Sequence, residues 1–184
     1  MALSIVQDEN LSRKTKNLTI RPLEKKDGDL LESKDNLAKM LQEIKNLRVK
    51  DQEYHISVFN TEESQVLGSL CLRGVCRDRY QSAMLEVALN QKETGDYLLM
   101  EMIVSALDIS FHELQLNRVE VLAVAEQIQL QKVMLNIGLR KEGVRKYAVQ
   151  KDTIWKDADV FAISASEYKS KNIDKLMNAR INLR

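Results

Sequence analysis

Apolar and polar residues recur along this chain with two different periods, and each change of period marks an element. "LTIRPL", Leu18 to Leu23, alternates Leu18 with Ile20 and closes on Pro22, which suits an edge or strand end. Asp27 can cap a helix start, and Leu30, Leu31, Leu37, Met40, Leu41, Ile44 and Leu47 give one or two helices with an apolar face. The period then falls to two. "YHISVF", Tyr54 to Phe59, the polar turn "NTEESQ" and "VLGSLCLRGV", Val66 to Val75, predict an antiparallel hairpin in which Gly68 needs no special function. In "AMLEVAL", Ala83, Leu85, Val87 and Leu89 share one strand face, and Met84, Glu86 and Ala88 the other.

Helical spacing returns at Leu99, Met102, Ile103, Ala106, Leu107 and Phe111, followed by "RVEVLAV", Arg118 to Val124, a branched-rich segment of the kind found inside a sheet. Leu130, Val133, Met134 and Ile137 form a second stripe, and Gly138 is a natural left-handed stop after it. A strand pair, "VRKYAVQ" and "ADVFAISA", comes last. This order predicts an α/β or α+β domain, a mixed sheet with helices on both faces and at least one parallel pairing. Residues 1–17 read as an N-terminal extension and 170–184 as a tail with helical spacing at Ile173, Leu176, Met177 and Ile181, docked in cis.

At 184 residues, the chain suits one sizeable core rather than two. Its 28 basic and 27 acidic side chains are interspersed, so no strong field gathers nucleic acid or an anionic membrane. No apolar run approaches a membrane span, and Glu101 and Asp108 interrupt even the helix from Leu98 to Phe111; the expected location is the cytoplasm. Cys71 and Cys76 lie far in sequence from His55 and His112 and lack ligand spacing, so the sequence predicts neither a disulfide framework nor a metal site.

Phosphate-binding Gly-Lys loops, the three-glycine dinucleotide fingerprint and the nucleophilic serine elbow are all missing from the sequence. What remains is the junction "NQKETGDYLL", where a strand ending at Leu89 passes through Gly95 into a helix. Helix starts carry amides without intrahelical acceptors and a partial positive charge, which is what a pyrophosphate needs.

From "LTIRPLEKKDGDLL", through "LNRVEVLAVAE" and "NIGLRKEGVRK", to "DADVFAISASEYK", residues 18–169 resemble the GCN5-related N-acetyltransferase (GNAT) superfamily, and within it the ribosomal-protein N-terminal acetyltransferases. The resemblance implies one acyltransferase domain with a splayed mixed sheet. Acetyl-coenzyme A would lie between the strands Ala83–Leu89 and Arg118–Val124, with its pyrophosphate at the turn and helix start, and the acceptor amine would arrive from the opposite side. The amine attacks the thioester directly, so the protein orients two reactants and removes a proton.

The family loop is Arg or Gln, two variable residues, Gly, one variable residue, then Gly or Ala. On this chain these positions become Thr94, Tyr97 and Leu99; only the variable Gly95 is a glycine, and Asp96 falls where a basic residue is common. Gln127 replaces the usual Asn at the start of the second helix, Leu139 the usual Phe, and Met134 the tyrosine acid of some relatives. Met84 stands where the branch often has a strand glutamate, and Glu86 two residues on.

The resemblance therefore implies a cofactor set of Leu89, Thr94, Gly95, Asp96, Tyr97, Leu98, Leu99, Gln127 and Met134; Glu86, a carboxylate shifted to where the family usually has glycine, is the first candidate for the general base, directly or through a water, with Tyr147 and Tyr97 as weaker catalytic candidates. Glu142, Arg145 and Lys146 are expected on the wet surface, and Trp155 either anchors the last hairpin turn or lines the substrate site. The implied activity is acetyl transfer from acetyl-coenzyme A to a primary amine, a protein N-terminus or lysine, with polyamines and antibiotics as other acceptors, in a monomer or homodimer. The competing expectation is a degenerate acyltransferase fold that binds a partner or ligand and catalyses little.

Overall fold

The computed structural model describes residues 6–31, 35–90, 95–171 and 173. Among these residues eight strands form one sheet: β1 (Arg13–Lys14), β2 (Leu18–Arg21), β3 (Glu53–Asn60), β4 (Val66–Cys76), β5 (Ser82–Leu89), β6 (Arg118–Val124), β7 (Arg140–Lys151) and β8 (Ile154–Ser164). Their spatial order is β1-β2-β3-β4-β5-β6-β8-β7. All neighbours are antiparallel except β5 and β6. That parallel seam comes from the crossover through the helix between these strands.

The helices are α1 (Leu37–Val49), α2 (Asp96–Asp108), α3 (Ile128–Ile137) and α4 (Ala165–Ser170), and a π turn over Ile109–Glu113 continues α2. Every residue of the α2 stripe, from Leu99 to Phe111, is buried, as are Leu130, Val133, Met134 and Ile137 of α3. α2 and α3 pack on each other and enter one core with Leu70, Leu72 and Leu85 of the sheet. α3 ends at Gly138, whose φ of 102° is the left-handed stop its position predicts. α1 contributes no buried residue; its stripe at Leu37, Leu41, Ile44 and Leu47 is half-buried.

Gly68 has a structural role that periodicity did not reveal. A Cβ there would stand 2.4 Å from the Ala88 carbonyl oxygen on β5, so the β4–β5 approach requires glycine. The last hairpin is longer than its apolar pattern suggested, because β7 starts at Arg140 and β8 at Ile154. β7 shifts register between Arg145 and Val149, and Tyr147 sits within that irregularity with a φ of 49°.

The two charges that interrupt α2 hold the N-terminal segment. Glu101 is buried and accepts from Thr15 Oγ1 at 2.5 Å and Asn17 Nδ2 at 2.7 Å. Asp108 accepts from Arg13 Nε at 2.6 Å, and Leu11 is wholly buried in the core. At the other end, Ile173 is buried, and the remainder of the tail stripe lies outside the described residues.

Asp27 is not the cap of a helix but the third residue of a 3-10 turn capped by Glu24, and it also anchors a buried ion pair. It accepts the Glu24 amide at 2.8 Å, closing a reciprocal capping box on the 3-10 turn Lys25–Leu30. It also receives both terminal nitrogens of Arg21 at 2.7 Å. The Arg21 guanidinium lies 4.1 Å from the Phe59 ring centroid and donates to Glu63 at 2.8 Å. Burial by itself would raise the Asp27 pKa, but the Arg21 hydrogen bonds and the Glu24 amide outweigh it and hold the carboxyl below its ordinary value.

Removing one partner leaves a buried charge uncompensated, so Asp27→Ala is expected to destabilise the fold by about 3–5 kcal/mol in urea unfolding. Because the folded-state pKa is depressed, the contribution of Asp27 is fully present above roughly pH 4 and is lost as pH falls through the folded value. The gap between wild type and Asp27→Ala should therefore narrow on acidification below pH 4; a constant gap would contradict this account.

Candidate active site

β5 and β6 pair at only three positions, Ser82 with Arg118, Ala83 with Val119 and Met84 with Glu120. Past them, β5 stays in register with β4 as far as Leu89, and β6 stays with β8 as far as Val124. Each strand follows its antiparallel neighbour, so the parallel seam opens. Two adjoining cavities fill the opening and share Val87, Gln127 and Leu130.

The smaller cavity, about 290 Å³, lies between the end of β5, at Val87 and Leu89, and the first turn of α3 at Ile128, Gln129 and Leu130, with Leu99 of α2 as a further wall. The larger, about 540 Å³, is bounded by Met84 and Glu86 of β5, Val121 and Leu122 of β6, and Arg145, Val149 and Trp155 of the last hairpin. One end of the opening thus meets a helix start, and the other a set of charged and aromatic side chains.

Gln127 precedes α3, and its side-chain oxygen accepts the Val124 amide at 3.0 Å. Gln131 Nε2 donates to the Val124 carbonyl at 3.0 Å. The two glutamines fix the exit of β6 while α3 keeps its first-turn amides, which by helix geometry lack intrahelical acceptors.

At the start of α2, Gly95 is exposed, Asp96, Tyr97 and Leu98 are half-buried, and Leu99 is buried. Asp96 is bonded across to α3, with Lys132 Nζ at 3.3 Å. Hydrogen bonds from Gln129 and Lys132 hold its carboxyl below the ordinary aspartate value. The negative charge expected to face a pyrophosphate is therefore partly neutralised in place. Thr94 lies outside the described residues.

Glu86 lies on the exposed face of β5 and lines the larger cavity, with Arg73 Nη2 at 3.4 Å from its carboxylate. Both side chains are about half exposed, 49% for Arg73 and 47% for Glu86, and an ion pair in that setting is weak. Tyr147 is 74% exposed, and only its neighbours Arg145, Ala148 and Val149 line the cavity. Met134 is wholly buried in the core and lines neither cavity.

Three further residues converge on this face. Trp155 lines the larger cavity instead of only closing the hairpin turn, and Arg145 lines it beside an ion pair to Glu120 at 3.4 Å. Glu120 also receives Arg118 Nε at 3.0 Å. The alternation of β6 puts Glu120 on the same face as its partner Met84, a signal readable once the register is known. Glu142 stays on the surface, where hydrogen bonds from Arg118 and Arg140 push its carboxyl down to about 2.

A mixed sheet that opens between its two parallel neighbours, with helices flanking it, is the acyl-CoA N-acyltransferase fold of the GNAT superfamily. The chain is 28% identical over 125 residues, 68% of its length and 69% of the relative's, to a probable N-acetyltransferase, YjcK, of Bacillus subtilis, and is homologous to it. The RimJ protein of Mycobacterium smegmatis, solved in complex with CoA-disulfide, superposes with a TM-score of 0.76 at 18% identity, covering 88% of each chain. The spermidine N-acetyltransferase of Vibrio cholerae, solved with CoA and spermine, superposes with a TM-score of 0.69 at 20% identity, covering 84% of this chain and 99% of its own. No protein-family model matches the chain. Among the described residues no helix is long and apolar enough to cross a membrane.

Proposed function

We propose that this chain is an acetyl-coenzyme A-dependent N-acetyltransferase that acetylates a protein N-terminal or lysine amine. The observation that carries the proposal is the opening of the β5–β6 seam after Met84 and Glu120, with a helix start at one end and Glu86 at the other. Across the open seam, strand backbone groups no longer pair with each other and are available to an extended ligand. The helix starts offer amides and partial positive charge to a pyrophosphate, from Gly95 to Leu98 and around Gln127. The thioester would then point past Leu89 and Val87 toward the larger cavity.

An amine entering from the side of Arg73, Arg145 and Trp155 meets Glu86, which takes the proton directly or through a water as the C–N bond forms and the thiolate of coenzyme A leaves. Glu86 is the one carboxylate among the described residues that line this cavity, and Trp155 suits the aliphatic part of a lysine or an N-terminal side chain.

A second reading, a binding module with little catalysis, is favoured by the start of α2. There the buried hydroxyl of the bulky Tyr97 and the Asp96–Lys132 bond occupy positions where the family pattern has small or basic residues.

Two measurements separate these readings. Thiol release from acetyl-coenzyme A should exceed background with N-terminal peptides or lysine peptides, and Glu86→Gln should lower kcat at least 100-fold with little change in KM for acetyl-coenzyme A. No turnover with peptides, polyamines or aminoglycosides would overturn the enzymatic reading. In titration calorimetry, Asp96→Asn should bind acetyl-coenzyme A severalfold more tightly at low salt, because it removes a negative charge and frees Lys132, and the gain should fade at high salt. Binding absent in the wild type and restored by Tyr97→Gly would instead support the partner-binding reading.

A further inference from the structure

We propose that Glu53, His55 and Cys71 form a binding site for one zinc ion on the sheet face beside the larger cavity. Strand period and register bring them together. Glu53 and His55 are two apart on β3 and share a face, and His55 stands directly opposite Cys71 of β4, which stands opposite Glu86 of β5. The three donor atoms lie within 4.8 Å of one another.

Their separations are close to those of a tetrahedral zinc. Bonds of about 2.3 Å to sulfur and about 2.1 Å to nitrogen or oxygen set ligand edges of roughly 3.4–3.6 Å. Cys71 Sγ to His55 Nε2 is 3.6 Å, His55 Nε2 to Glu53 Oε2 is 2.8 Å and Cys71 Sγ to Glu53 Oε2 is 4.0 Å. The first already fits, and rotamer adjustments of roughly half an ångström bring the other two to the required edges.

Charge and chemistry agree with the geometry. One carboxylate and one thiolate neutralise a dication, and a thiolate with an imidazole selects zinc over magnesium or calcium. Cys71 is 8% exposed, whereas the Glu53 and His55 side chains are 21% and 30% exposed, so the site has a buried floor and an open mouth. Three protein ligands leave the fourth position to water or an incoming ligand. A cation already occupies this neighbourhood: Arg73 Nε lies 3.5 Å from Glu53, and Arg73 Nη2 lies 3.4 Å from Glu86. Arg73 is half exposed, and metal binding at Glu53 would replace its ion pair there.

Burial, then the Glu53 and Glu86 carboxylates, push the Cys71 thiol up to about 11 against the opposing pull of Arg73. The groups facing it are Glu53 and His55 from β3, Arg73 from β4 and Glu86 from β5.

Cobalt(II), a spectroscopic stand-in for zinc, tests the site in the full chain. One equivalent should give a thiolate-to-cobalt charge-transfer band that zinc abolishes. Cys71→Ser and Cys71→Ala should each lose the band, the alanine variant serving as the check that a buried hydroxyl has not disturbed the sheet. Cys76→Ser should keep it, His55→Gln should weaken cobalt binding more than tenfold, and Arg73→Gln should strengthen it severalfold. No band in the wild type at millimolar cobalt, a band that survives both Cys71 variants, or one lost in Cys76→Ser would overturn the proposal.

Discussion

The seam between β5 and β6 is the constraint on which the rest of the molecule depends. Two parallel strands can diverge only if each is held by its other neighbour, and here β4 holds β5 through Leu89 while β8 holds β6 through Val124. The antiparallel ladders on the outer edges of β5 and β6 keep both strands in place, while the backbone groups that face the seam are left for a ligand or water. Gly68 lets β4 come close enough to keep its ladder to Leu89, and the Gln127 and Gln131 side chains satisfy the Val124 backbone where β6 gives way to α3. Changes at these remote points act on the cleft through strand spacing.

α2 has to stay in place while its N-terminus borders the cleft. Its stripe is buried against the sheet and α3, and its opposite side is covered by the N-terminal segment through Glu101 and Asp108. A buried carboxylate is costly alone, but Thr15 and Asn17 satisfy Glu101, and the Arg13 guanidinium meets the partly exposed Asp108. The helix is thus clamped from both sides, and the Asp96–Lys132 bond ties its first turn to α3.

How much of this was legible in the sequence depended on whether a feature is local. The α2 and α3 stripes, the strand at Arg118–Val124 and the stop at Gly138 come from period and φ preference, and all stand as read. Features that need strand register were invisible. The spacing of Glu53 and His55 on one strand face could have been noticed, but nothing local says that Cys71 falls opposite. Asp27 had the sequence of a cap and is instead the third residue of a turn and the buried partner of Arg21. Trp155 looked like a turn anchor because its cavity is made by strands remote in sequence. Family spacing named Met134, which is buried in the core; Tyr147, a weaker proton-donor candidate, is exposed on an irregularity beside the cavity.

If the open seam is the acetyl-coenzyme A cleft, the ligand covers backbone groups of β5 and of two helix starts, and amide hydrogen exchange with and without acetyl-coenzyme A reads those groups directly. Protection should rise along residues 85–89 of β5, at the first turn of α2 over residues 96–98 and at the first turn of α3 over residues 128–130, with β7 near residue 140 unchanged. Unaltered exchange along β5 and both helix starts at saturating ligand, or protection confined to elements outside the seam, would contradict that placement of the cleft.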